Sequence, residues 1–413
     1  MLTEYPRFTP EMKKTHTILL PNMLPMHERL MEKVFKSYGY NVKLLTNDGR
    51  GVIENGQKFV HNDTCYPAML VIGQFIDAIK NGGYDPDRVA VLITQTGGGC
   101  RASNYIHLLR KGLAKAGYPQ VPVLSFNVSG LERDSGFSLT LPMLHRLLYA
   151  VLYGDLLMLL RNQTKPYEVN AGESEALCEK WVEKLTSEME KKVNYRKIKE
   201  NYRKVIEDFA KIELRKEERI RVGIVGEIFI KYSPLGNNDL ENFLIQEGAE
   251  PVVPGLTDFC LYCVYNGIID TELYGINKIK SFFSKIIMKL LLKKQKDVID
   301  AIKKNGKFRP NTPFDHTITL AGDYVGMGTK MGEGWLLTAE MIELSEDGVK
   351  NIVCAQPFGC LPNHIVGKGM MKPIKEKNPD VNIVAVDYDP SATRINQENR
   401  IKLMLANAKK SDE

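Results

Sequence analysis

At 413 residues with 43 % hydrophobic content, the chain is long enough for two or three domains with sizeable cores. Its net charge of +6 comes from 56 basic and 50 acidic residues, a mixed balance without a nucleic-acid signature. The charged start "MLTEYPRFTPEMKKTHTILLPNM" lacks a signal-peptide pattern, and no uninterrupted apolar run is long enough to predict a membrane span, so a cytoplasmic address is expected.

In chain order, "HTILLPN" predicts a strand and "MHERLMEKVFKSYG" a helix ending near Gly39. "YNVKLLT" reads as a strand and "PAMLVIGQFIDAIKNGG" as a helix closed by glycines. "RVAVLITQT" has the mostly apolar character of a strand covered on both faces of a parallel sheet. "NYIHLLRKGLAKAG" follows as a helix, "VPVLSFN" as a strand, and residues 139–161 as a long helix. "LPMLHRLLYAVLYGDLLMLL" within it is the nearest approach to a membrane span, interrupted by His145, Arg146 and Asp155. This βα alternation predicts a doubly wound parallel sheet over residues 1–165.

Residues 166–217 are dense in charge at helical spacing and read as helices bridging two domains. A second α/β unit is expected over 218–413. Its strands are "IRVGIVGEIF", "AEPVVPG", "KNIVCAQ" and "VNIVAVDYD"; its helices are "NDLENFLIQEG", "GWLLTAEMIELSEDG", "HIVGKGMMKPIKEKNP" and "INQENRIKLMLANAKK". A mostly helical insertion is expected around 257–307, and His316 in "PFDHTITL" is read as a structural residue starting a strand. The basic stretch 277–307 reads first as a core helix with a solvated lysine face, then as a dock for an acidic partner, and last as a membrane-surface helix.

Seven cysteines in a cytosolic chain point away from disulfides. Cys65 precedes a helix at "TCYP", Cys100 ends "TQTGGGC" after a strand, and Cys354 and Cys360 lie in or after "NIVCAQPFGC". In open α/β sheets that edge, beyond the strands' carboxyl ends, is where ligands bind. Cys260 and Cys263 form a C-x-x-C pair, whose spacing lets two thiols reach one metal or else share a packed helix face. Cys178, surrounded by charges in a helical pattern, reads as a packing or surface residue. Thiols converging from distant strands suit an iron–sulfur cluster better than structural zinc.

With those residues in view, "NDTCYPAMLVIGQ", "TGGGCRASNY", "DFCLYCVYN" and "QPFGCLPNHIVGKG" resemble motifs of the 2-hydroxyacyl-CoA dehydratase and benzoyl-CoA reductase superfamily. They look closest to its double-cubane cluster proteins and to the homologous carboxy-terminal region of long activase-related proteins. The likeness runs from about residue 16 to residue 406. It implies two Rossmann-like domains, and a cluster at their interface. The motifs place Cys65, Cys100 and Cys360 where a [4Fe-4S] cluster would be held, and Cys260, Cys263 and Cys354 would complete six ligands for an [8Fe-9S] double cubane. It further implies a homodimer, and a separate homodimeric ATP-dependent [4Fe-4S] activase as electron donor, with a small molecule as substrate. No G-x-x-x-x-G-K-[ST] phosphate loop occurs here, consistent with ATP chemistry residing in the partner.

Near these cysteines, Gly97, Gly98 and Gly99 would either bring backbone N–H groups to cluster or substrate or form a tight turn. His364 and His107 are candidate proton sources or else surface residues; Lys368 and Arg101 are candidates to offset anionic charge. "GDYVGMGTKMGEGW" reads as a loop near the site rather than a dinucleotide motif. Two other readings stand beside the double-cubane reductase. One is a dehydratase-like subunit with a single [4Fe-4S] cluster. The other is a non-enzymatic electron-transfer or metal-stabilised protein.

Overall fold

A computed structural model describes residues 5–94, 100, 104–126, 137–190 and 194–411 of the chain. The first unit is a four-stranded, all-parallel sheet of β1 (Thr17–Leu20), β2 (Val42–Leu44), β3 (Val89–Thr94) and β4 (Val123–Phe126) in the order β2-β1-β3-β4. Its strands send alternate side chains to opposite faces. Leu19, Val91 and Ile93 enter one core cluster, and Ile18, Leu20, Ala90 and Leu92 another. Both faces are therefore apolar, which is why these strands lack polar alternation.

The second unit repeats the plan with β5 (Arg221–Gly226), β6 (Glu250–Val252), β7 (Asn351–Pro357) and β8 (Asn382–Tyr388) in the order β6-β5-β7-β8. All of its neighbouring strands are parallel. In each sheet the order reverses between the first and third strands, and the crevice at such a switch point is where α/β sheets place ligands. Two doubly wound units are thus present, as the alternating sequence predicts. One core cluster runs through both, with Leu70 and Phe75 of the first unit and Ile224, Phe229 and Val353 of the second.

The Leu141–Thr164 helix is long and apolar enough by length and composition to cross a membrane, yet 72 % of its apolar window is buried inside the protein. Its Leu147, Leu156 and Leu160 pack with the first sheet. Helices Glu173–Met189 and Tyr195–Ala210 join the same core through Cys178, Trp181, Leu185, Tyr202 and Phe209. This charged segment buries an apolar stripe on the first unit and reaches the Lys278–Asn305 helix of the second, where Lys199 pairs with Asp297 at 2.7 Å. Cys178 is 1 % exposed, a packing residue.

Other expectations change. The strand expected at "DHTITL" is a helix, Phe314–Leu320, held where Thr317 Oγ1 donates to Glu343 at 2.7 Å. His316 on it lies 2.7 Å from Glu346, a structural surface contact. The helical insertion is a hairpin of two helices, Leu256–Tyr274 and Lys278–Asn305, turned by Gly275 with φ +70°. The single helix expected from His364 breaks into a π-helical turn (Asn363–Gly367), a 3₁₀ turn (Lys368–Met370) and a short helix (Met371–Lys377). Helix Arg50–Phe59 is an addition that two internal glycines conceal in the sequence. Gly56 and Gly73 let it cross the Tyr66–Asn81 helix closely: a Cβ on Gly73 would sit 2.2 Å from the Val52 carbonyl.

Candidate functional site: a thiol crevice between two sheets

The carboxyl edges of the two sheets meet. The Tyr66 N–H donates to the Phe358 carbonyl at 3.0 Å, joining the start of the first unit's Tyr66–Asn81 helix to the turn after β7. Gly359 permits this approach: its φ is +71°, and a Cβ there would lie 3.1 Å from Cys65 Cα. Cys65 caps the Tyr66–Asn81 helix, Cys360 follows β7 and Cys100 follows β3. A Cβ on Gly332, in the glycine-rich loop, would come within 3.9 Å of Cys100 Sγ. The loop read as lying near the site does lie against it.

Cys65 and Cys360 are 6 % and 7 % exposed. Burial pushes the Cys65 thiol up to about 11, against a hydrogen-bonding contact with Tyr105 Oη at 3.5 Å that favours the thiolate. The Cys360 thiol is raised well above its ordinary value, first by burial, then by the charges of Glu227 and Glu333 and of Cys65. Cys65 in turn feels Cys100. These three thiols form one electrostatic group. Burial disfavours the thiolates of Cys65 and Cys360, and a bound metal's charge is what would turn such thiols into ligands.

The C-x-x-C pair lies on the first turns of the Leu256–Tyr274 helix. Cys260 feels the charge of Cys263, and Cys263 feels Glu333. Cys263 opens to solvent while Cys260 is half-buried. Burial of its sulfur, then the Glu333 charge, pushes the Cys263 thiol up to about 12. Tyr262 between them feels both Cys263 and Cys100, so the pair borders the crevice.

Cys354 is placed differently. It is fully buried in β7 and packs with Val225, Leu337, Met341 and Val366 on the face away from the cluster that holds Val353 and Ala355. Its Sγ donates to Asn363 Oδ1 at 3.4 Å, and Asn363 Nδ2 donates to the Ala355 carbonyl at 2.7 Å. It buttresses the π-helical turn from behind. His364 is exposed, with Nδ1 2.7 Å from both the Cys360 carbonyl and Gln356 Nε2, so the ring is tied to its own turn and to β7. Lys368 is exposed and pairs with Asp387 at 3.4 Å, on the side of Cys354 rather than Cys360. His107 is exposed on its helix. Arg101, Gly97, Gly98 and Gly99 lie outside the described residues.

Two groups were not singled out by sequence reasoning. Glu227 follows β5 at the switch point and accepts from the Ile230 N–H at 3.0 Å. Glu333, from the glycine-rich loop, accepts from the Ile228 N–H at 2.8 Å. Burial, then the neighbouring Glu333 charge, pushes the Glu227 carboxyl up to about 8, and burial raises Glu333 as well. Both carboxyls therefore bind a proton more tightly than an ordinary glutamate. An isolated Glu carries no sequence signal; only its place after β5 in "GIVGEIF" could have suggested it.

Among the described residues, no set of three or more His, Cys, Asp or Glu side chains is gathered tightly enough to hold a metal ion as it stands. The donor chemistry nonetheless fits an iron–sulfur cluster: two buried thiols and the half-buried Cys100 arrive from three separate loops at one crevice, bordered by a C-x-x-C pair. Cys354, bonded into the core, is the one candidate ligand that does not fit. No family model matches the chain, and no curated protein matches it.

Proposed function

We propose that the chain is an iron–sulfur protein that receives low-potential electrons from a separate ATP-hydrolysing [4Fe-4S] partner and reduces a small molecule in the crevice between its two sheets. The single observation that carries the reading is the meeting of both carboxyl edges, which brings buried Cys65 and Cys360 into one group with half-buried Cys100. The motifs that resemble the dehydratase and benzoyl-CoA reductase superfamily fall on those residues.

When bound, an iron–sulfur cluster supplies one-electron chemistry at low potential. Cys65, Cys100 and Cys360 would hold it, with Cys260 and Cys263 available for further iron. The chain's own residues do the rest. Tyr105, hydrogen-bonded to Cys65, orients that sulfur. Phe358, Gly359 and Tyr66 close the crevice from below through the inter-unit hydrogen bond. Glu227 and Glu333 keep a proton beside the thiols, where reduction of a substrate consumes protons.

A second reading, a dehydratase-like subunit with one [4Fe-4S] cluster, is favoured by Cys354, which is buried in β7 with its Sγ 3.4 Å from Asn363. Iron and acid-labile sulfide, measured on protein purified without oxygen, separate the two. About eight irons per chain supports the double cubane and about four the single cubane. No iron after anoxic reconstitution overturns both. ATP-dependent reduction in the presence of the partner ATPase then distinguishes an enzyme from an electron carrier.

A further inference from the structure

The hairpin helix Lys278–Asn305 is built inside out over its first half. It packs Ser281, Ser284 and Met288 inward, with Ser284 close against Gly267 of the Leu256–Tyr274 helix. Its large apolar side chains point the other way. Ile279, Phe282, Phe283, Ile286, Ile287 and Leu290 are each between 46 % and 77 % exposed. Leu273, Tyr274 and Ile276 at the hairpin turn are exposed too. With about 200 Å² for each fully accessible large side chain, these nine leave roughly 900 Å² of apolar surface in water. That exceeds the patch of about 300–600 Å² usual for a monomer and matches the ~800 Å² per partner of a stable interface. The solvated lysine face expected from the sequence holds only for the second half, where Ile299 and Ile302 turn inward.

The spacing identifies the occupant. On the helix, Ile279, Phe283, Ile286 and Leu290 follow one another at intervals of four, three and four, the seam that mates with another helix. A helix lying on lipid has no need of that alternation. The seam is self-complementary when two copies run antiparallel about an axis between Phe283 and Ile286. Ile279 then meets Leu290 of the second copy, and Phe283 meets its Ile286. On the flanks Lys289 falls on Phe282 and Lys280 beside Ile287, so each ammonium faces an apolar side chain or a ring that attracts it. A parallel pairing would instead stack Lys293 on its own counterpart. No carboxylate occurs from 273 to 296 to relieve such a clash.

We infer that this hairpin face is the surface on which two copies of the chain dimerise, antiparallel through the Lys278–Asn305 helix. The argument uses neither the thiol crevice nor any resemblance, so it stands or falls separately from the proposed function.

Sedimentation velocity of the full chain, with and without iron, tests it. The expected result is a dimer at low micromolar concentration. The doubly substituted Phe283→Glu, Ile286→Glu chain should dissociate about 100-fold or more readily, with an unchanged circular dichroism spectrum. The register has its own check. Ile279→Lys and Leu290→Glu chains should each be monomeric alone and should form a one-to-one heterodimer when mixed. A wild-type monomer at tens of micromolar, or a dimer indifferent to both glutamates, overturns the inference. So does a monomer that binds phosphatidylserine vesicles through this face, which would assign the patch to lipid.

Discussion

Asp155, in the middle of the central helix, accepts from the N–H groups of Leu256 and Thr257 at 2.8 Å each and from Thr257 Oγ1 at 2.5 Å. His27 Nε2 lies 2.8 Å from the same carboxylate. The Leu256–Tyr274 helix starts at Gly255, which has no side chain to cap it, so a residue 101 positions earlier in the chain does so. Asp155→Ala should cost about 3–5 kcal/mol, because it orphans several buried donors at once; urea unfolding of the metal-free protein measures it. Glu28 makes a different test. Both of its oxygens accept from Met23, and one also from Leu24, yet burial outweighs these bonds and pushes its carboxyl up to about 8. A carboxyl that binds its proton more tightly folded than unfolded loses stability as pH rises from its ordinary value toward 8, at up to about 1.4 kcal/mol per pH unit. Glu28→Gln should flatten the wild-type slope between pH 5 and pH 8, read from denaturant midpoints.

At the scale of elements, the turn after β7 separates two cysteines with different tasks. Cys354→Ala should leave iron content unchanged in anoxically reconstituted protein and cost about 1–2 kcal/mol by loss of core packing. Cys360→Ala should lose most of the iron while the fold survives. The opposite pattern would restore Cys354 to the ligand set. All eight strands are visible in the sequence because each is a short apolar run bounded by turn residues. Helices at "MHERLMEKVFKSYG" and "PAMLVIGQFIDAIKNGG" are equally legible. Arg50–Phe59 is not, since Gly51 and Gly56 are poor helix formers and are there for close packing. The π-helical turn after Cys360 is set by Asn363 reaching back to Ala355, a long-range bond no local pattern records. Similarly, the cysteine motifs mark the crevice, whereas Glu227 and Glu333 become neighbours only through folding.

For the whole molecule, one apolar cluster crosses from the first sheet to the second. Neither unit completes its core alone. Metal-free protein should therefore keep its far-ultraviolet circular dichroism and unfold in one transition rather than two. Calorimetry with and without chelator checks this; two resolved transitions would contradict a shared core.

The two sheets have the same strand order, and β3 corresponds to β7 as β2 does to β6. Strand for strand, the loop of Cys100 therefore corresponds to the loop of Cys360. Likewise the helical region after β2, where Cys65 sits, corresponds to the region after β6, where Cys260 and Cys263 sit. The crevice is built as a pair of related halves, as though two identical subunits had met edge to edge. Because both halves are covalently one chain, each can diverge without its counterpart following. One side can specialise in holding sulfur while the other specialises in handling protons.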